Sequence, residues 1–316
     1  MSRYVIGRIG QAVLVLWGAY TVAYFILYLL PGDPLSIMLS ASGVEIDSLS
    51  VADLAKARAY YGLDQSVLEQ YLSLVLGAVH GDFGQSIALN RPVAGLLAER
   101  LPQTLALAGV AIVLSLTSGI GLGYLAAYVR WRPLQTALAR VPSLGFSVPV
   151  FWMGLLLIQV FAFTLGWLPS TGNQGLSSLV LPAITLAIPS AAVYAQVLLR
   201  GFQGVRHEPY LATAYAKGLS RAQVQRRHAF KNAALPLLTL IGLQVGNTVS
   251  GAVLVETIFA RSGIGRLAQE AVLRQDIPVV LAIVSVAAAA FVVVNLVVDL
   301  LYPLLDPRIT HTPRIA

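Results

Sequence analysis

Six apolar runs, each near the ~20 residues that a helix needs to cross the hydrocarbon core of a bilayer, leave this chain few folds to adopt. They fall at about 9–30, 104–129, 134–165, 179–199, 235–258 and 278–302. In hydrocarbon every backbone N–H and C=O must be satisfied within the protein, so runs of this length read as helices. The expected fold is all-α, a polytopic transmembrane helical bundle of about six spans. Apolar residues make up 57% of the chain and charged residues 11%, with a mean hydropathy of +0.76. A soluble domain sits nearer 45–50% apolar and about 25% charged, so composition excludes that class. The third run is overlong and holds Pro142 and Pro149, which predicts a kink or a tilted entry. The fourth holds Pro182 and Pro189, tolerable where neighbouring helices satisfy the freed carbonyls. Arg3 and Arg8 precede the first run as they would in a signal peptide, but its apolar stretch is longer than an h-region and reads as an uncleaved anchor.

Orientation follows from the basic residues. Of the 21 Lys and Arg, all but Lys56, Arg58, Arg91, Arg100, Arg261, Arg266 and Arg274 lie in the N-terminus, the 130–140 turn, the 200–231 loop or the C-terminus. That asymmetry places both termini and the 200–231 loop in the cytoplasm. The net charge of +7 is explained by topology rather than by nucleic acid, because the basic residues lie between apolar spans. The absence of cysteine removes disulfides and thiolate metal sites.

The chain then divides into 1–30 (cytoplasmic N-terminus and first span), 31–101 (an extracytoplasmic helical insertion), 102–306 (the transmembrane core, containing the loop 200–234) and 307–316 (a cytoplasmic tail). Within the insertion, Ser50 followed three residues later by Asp53 predicts a capped helix that Gly62 would stop. A second amphipathic run, 67–79, ends at Gly81. Pro92 opens a third, with Val93, Leu96, Leu97 and Leu101 on one face. Such faces can pack on other helices, lie at the bilayer surface or meet a docked protein. No low-complexity segment, linker or internal repeat is evident.

The 200–236 stretch carries the most specific pattern. Pro209 suits the first turn of a helix, Gly218 a C-terminal cap and Ser220 the N-cap of a second helix bearing Arg226, Arg227 and Lys231. Two short helices joined by Gly-Leu-Ser make a handle that a soluble partner can grip. An ordinary positive-inside loop would explain the charge, but not the small apolar run from Tyr210 to Ala216.

The run Ala212 to Gly218, Ala-Thr-Ala-Tyr-Ala-Lys-Gly, followed by Leu235-Pro236, resembles the coupling loop of membrane permease subunits of binding-protein-dependent ABC importers, in the dipeptide/oligopeptide/nickel group. Further matches are Leu30-Pro-Gly-Asp-Pro34, Tyr61-Gly-Leu-Asp-Gln65, Gly81-Asp-Phe-Gly84, Arg227-His228 with Asn232, Glu256-Thr-Ile-Phe259 and Asp306-Pro-Arg308. Ala212 stands where many members have Glu, and Ser66 and Ser262 stand where Pro is frequent. The resemblance implies half of a translocation path for peptides or similar small solutes in a bacterial or archaeal cytoplasmic (inner) membrane. It implies a homologous second permease subunit, two cytoplasmic ATPase subunits and an extracytoplasmic substrate-binding protein as partners, besides membrane lipid and no nucleic acid. The ATPase-coupling residues would be Glu208, Tyr210, Ala212, Thr213, Ala214, Lys217, Gly218, Arg226, Arg227 and His228.

Motifs for chemistry are missing. Lys56, Lys217 and Lys231 follow Ala55, Ala216 and Phe230, so no Gly-Lys phosphate-binding loop exists, and if ATP drives transport a separate subunit must hydrolyse it. The resemblance implies that ATP and Mg bind in partner ATPases, and this chain is expected not to be an enzyme. Asp82-Phe83-Gly84 mimics a kinase triplet without its companion His-Arg-Asp loop. His80, His207, His228 and His311 are spaced for neither a metal site nor a catalytic base, and no cofactor is expected. An ion-coupled secondary carrier or channel subunit is the alternative function, but carriers place ionisable groups at mid-membrane. Here the acidic residues within the spans are Glu256 and Asp299, each near a span end. On the fifth run Gln244, Asn247, Thr248 and Gly251 recur at i, i+3, i+4 and i+7, a polar stripe that either lines the pathway or bonds to neighbouring helices. Gly242, Gly246 and Ser250 form a small-residue ridge beside it.

Overall fold

The computed structural model describes residues 2–28, 50–60 and 64–305, and among these the chain is helical with no strand beyond a single bridge between Gln85 and Pro92. The helices are α1 (Ser2–Tyr28), α2 (Val51–Tyr60), α3 (Val67–Val79), α4 (Val93–Tyr128), α5 (Arg132–Ser147), α6 (Val150–Thr164), α7 (Ser177–Val205) and α8 (Pro209–Ala216). A run α9 comes next in three pieces, Arg221–Val224, a π-helical Gln225–Ala229 and Phe230–Ala233; then come α10 (Leu235–Ile258), α11 (Ile264–Leu273) and α12 (Ile277–Leu305). Parts of α1, α4, α7 and α12 are each long and apolar enough to cross a membrane, and the bent pairs α5–α6 and the two halves of α10 bring the number of candidate spans to six. Gly62 and Asp306-Pro-Arg308 lie outside the described residues.

Packing separates the chain into two compact units, residues 1–104 with 262–292, and 105–261 with 293–316. In the first, Val93, Leu96 and Leu97 at the start of α4 meet Ile264, Leu267 and Ala271 of α11 and Val279, Ala282 and Ile283 of α12. A second cluster joins Tyr20 and Tyr24 of α1 to Tyr71 of α3 and Leu281 of α12, with the Tyr24 hydroxyl donating to the Val67 carbonyl at 3.0 Å. The expected cap at Ser50 and stop at Gly81 are present: Ser50 Oγ accepts from Asp53 N at 3.2 Å, and Gly81 has φ +79 after α3. Ser66, which sequence reading did not mark as a cap, closes a capping box with Glu69 on α3. The helix predicted from Pro92 and the second span are one continuous 36-residue α4 that passes through Pro102.

In the second unit α4 and α7 approach closely because small residues face each other. A Cβ on Gly119 would stand 2.6 Å from the Ala191 carbonyl, and one on Gly123 2.8 Å from that of Ala195. Both pairs are four residues apart, the small-xxx-small spacing of membrane helix contacts. The third apolar run is not one kinked helix. α5 and α6 meet at 103°, with Pro149 at the N-cap of α6. The ring of Pro149 bars Val148 from the α region, and Val148 is extended at φ −94, ψ 124. The kink expected at these prolines is thus a full break between two helices, of which α5 is amphipathic. α7 in contrast continues through both its prolines. Pro182 frees the Ser178 carbonyl from its helical partner, and the buried Arg261 guanidinium donates to that oxygen at 3.0 Å and to the Gly172 carbonyl at 3.1 Å.

Candidate functional site

The basic loop is a built structure rather than a slack connection. Pro209 sits in the first turn of α8, where a missing N–H costs nothing, and Leu211 and Ala214 turn into a core with Tyr194, Leu198 and Phe202 of α7, Val224 and Ala229 of α9 and Leu237 of α10. α8 ends in a paired cap. Gly218 N donates to the Tyr215 carbonyl at 2.9 Å and Leu219 N to the Ala214 carbonyl at 3.3 Å, a geometry that needs the left-handed φ of +81 found at Gly218. Ser220 then caps α9 reciprocally with Gln223. Gln225 Nε2 donates to the Tyr124 carbonyl at 3.2 Å, and Arg221 lies over the Tyr128 ring, 5.1 Å from its centroid. These contacts tie α9 to the C-terminal end of α4, where a cation also suits the helix dipole.

With Leu211 and Ala214 inward, Ala212, Thr213, Ala216, Lys217 and Gly218 face out, a surface of small side chains beside one ammonium. Glu208, Arg226 and Arg227 are exposed and His228 is half-buried. Tyr210 is half-buried against the core, its hydroxyl buried without a hydrogen-bond partner among the described residues. Among those residues Lys217, Arg226, Arg227 and Lys231 form no ion pair. The helices therefore bring Glu208 through Gly218 and the Arg226–His228 group together on one packed platform.

The polar stripe on α10 is divided. Gln244 and Thr248 are buried, Thr248 Oγ1 donates to the Gln244 carbonyl at 2.8 Å, and a Cβ on Gly251 would meet Leu186 of α7 at 2.9 Å. Asn247 is exposed and donates to Gln244 Oε1 at 2.5 Å. In the ridge beside it Gly242 is buried, Gly246 half-buried and Ser250 exposed. α10 itself bends by 41° between Gln244 and Gly246.

Three features lie outside the expectations drawn from sequence. α11 was legible in Ile264, Leu267 and Ala271 at helical spacing after Gly263, its N-cap residue. The Gly119 and Gly123 pair was legible as a spacing. Asp276 was not: its buried carboxylate accepts from Ser86 Oγ at 2.5 Å, Ile87 N at 3.2 Å and Ala88 N at 3.1 Å, partners about 190 residues away. No group of three or more metal-ligating side chains occurs among the described residues.

Apolar helices in spanning lengths with a capped basic platform between two of them define a polytopic membrane protein. The chain belongs to the family of binding-protein-dependent transport system inner membrane components, whose profile matches residues 119–311, with the matching N-terminal family over 1–108. It is 36% identical to the glutathione transport system permease GsiC of Escherichia coli, covering 98% of this chain and all of that one. It is 34% identical to a probable peptide ABC transporter permease of Sinorhizobium fredii, over 98% of this chain and all of that relative. The fold resembles that of an inward-facing methionine ABC transporter structure, with a TM-score of 0.54 at 16% identity over 67% of this chain and 96% of that one. Family membership makes this chain a multi-pass inner-membrane permease subunit of an ABC importer and sets aside the ion-coupled alternative.

Proposed function

We propose that this subunit forms half of the path by which an ATP-driven importer admits short peptides or peptide-like solutes, and that α8 and α9 are the handle gripped by a cytoplasmic ATPase. The observation that carries the reading is the platform itself: two capped helices on a shared core, showing small side chains and unpaired cations. Such a face offers little to hold the chain together and much to a partner with a groove and carboxylates. The names of the relatives, peptide and glutathione permeases, support the substrate class. When ATP closes a pair of ATPase subunits, handles of two permeases would be drawn together, and rigid helix packing would convert that approach into a switch between two access states. A homologous second permease and an extracytoplasmic binding protein complete the assembly.

Uptake into vesicles of labelled dipeptides, longer peptides, glutathione and metal chelates, with and without ATP, tests the reading; ATP-independent uptake would overturn it. Orientation is tested with single cysteines, Lys56→Cys and Ala216→Cys, in this cysteine-free chain. An impermeant thiol reagent on intact cells should label the first and miss the second, and equal labelling would refute the orientation. The pathway role of the α10 stripe rests on Asn247. Asn247→Leu removes donors and an acceptor at nearly constant size. If Asn247 faces the path, uptake should change by different factors for different substrates; a stability loss of about 0.6 kcal/mol with uptake intact would mark a packing bond only.

A further inference from the structure

A cavity of about 660 Å³ opens beside the docking helix, and Arg130, Arg132, Arg206 and Arg221 line it with no carboxylate among the lining residues. Four guanidinium groups around one space repel each other and favour an anion that can take several N–H donors at once. Arg130, Arg132 and Arg206 are exposed, and form no ion pair among the described residues. The nearest acidic residue in the loop sequence, Glu208, does not line the cavity. Behind the arginines the lining differs in kind: Leu199 and the edges of the buried Phe202 and Val224 supply a narrow apolar strip. A free inorganic anion would use the arginines and leave that strip wet. An amphiphile with a phosphate head would use both.

Depth supports the amphiphile. Trp131 stands between two of the arginines and is 67% exposed, and Tyr128 closes the preceding helix with its ring under Arg221. Exposed Trp and Tyr at the end of an apolar helix mark the level of lipid head groups, and arginines at that level meet phosphates there. We propose that this cavity binds the phosphate-bearing head group of an anionic phospholipid. Leu211 and Tyr215 of α8 form part of the same lining, so an occupied site would brace the docking helix against the turn between α4 and α5. The inference takes from the proposed function only the side of the membrane; the binding itself needs neither an ATPase nor a substrate.

The test is native mass spectrometry of the full chain, purified in detergent with whatever subunits travel with it, after addition of phosphatidylglycerol, cardiolipin or phosphatidylcholine. The wild type should retain an anionic lipid and not phosphatidylcholine, and millimolar inorganic phosphate or ATP should fail to displace it. Arg132→Gln with Arg206→Gln should weaken retention by on the order of thirty-fold, two surface-level arginines' worth. Arg140→Gln, an exposed arginine on α5 outside the cavity, should leave retention unchanged. Equal retention of phosphatidylcholine by the wild type would overturn the proposal without any variant. Displacement by inorganic phosphate would reassign the cavity to a free anion, and unchanged retention in the double variant would move the lipid elsewhere. Each result is read on binding alone, so it stands apart from success or failure of the transport assays.

Discussion

The segments around α11 and the loop holding α8 and α9 solve the same structural problem and end with opposite surfaces. Both are short helices between spans, both bury an aliphatic face in a local core, and both begin or end on glycine or a capping side chain. Around α11 several charges are satisfied at home, with Arg274 at its C-terminal end left exposed and unpaired among the described residues. Arg266 pairs with Glu270 at 3.0 Å, Arg91 with Glu99 at 2.6 Å, and Asp276 is buried among three donors. In the α8–α9 loop the cations are left without acidic partners among the described residues, and two of them, Arg206 and Arg221, line a cavity with Arg130 and Arg132 of the α4–α5 turn. A region whose charges are paired internally is finished as a structure. One whose core is complete while its charges stay unpaired keeps those charges available to whatever it meets.

The strongest way to break that comparison is to damage each core in turn. A Cβ on Gly201 of α7 would run into the Ala233 carbonyl of α9, so Gly201→Leu should cost about 3 kcal/mol and detach the loop. Limited proteolysis should then cut within 205–234 first. Asp276→Ala leaves the buried Ser86 hydroxyl and two half-buried backbone N–H groups without their acceptor, a loss of roughly 3 kcal/mol. Its melting temperature in detergent should fall well below that of wild type, while the loop keeps its partners. A variant melting like the wild type would show that this network is not structural.

Gly218→Val sharpens the contrast on the loop side. Holding a β-branched residue at φ +81 costs on the order of 1–2 kcal/mol. The protein should still reach the membrane, but ATP hydrolysis should no longer drive uptake; normal uptake would remove Gly218 from the coupling geometry. The smallest stability effect is the most discriminating. Arg226→Glu with Arg227→Glu should change stability by no more than ~0.5 kcal/mol, since both side chains are exposed, yet should weaken ATPase co-purification. Arg266→Ala, which breaks a half-exposed pair, should leave co-purification unchanged. Equal behaviour of the two variants would erase the difference between the regions.

Much of this was legible in the order of residues because it is local. Span lengths, the Ser50 and Ser220 caps, the positive φ of Gly218 and the first-turn Pro209 depend on neighbours within a few positions, where backbone sterics and hydrogen bonding decide the outcome. Pro149 was visible too, but the size of its bend was not: a missing N–H and a ring clash dictate that a helix breaks, while the angle of 103° is set by what the two halves pack against. Only the tertiary structure brought Arg261 to the carbonyl freed by Pro182, set Asp276 against Ser86, and gathered arginines from residues 130, 132, 206 and 221 around one cavity. Those pairings join positions as much as 190 apart along the chain. Periodicity carries no information at that range, because which faces meet is settled by the burial of whole helices, not by any residue's neighbours in sequence.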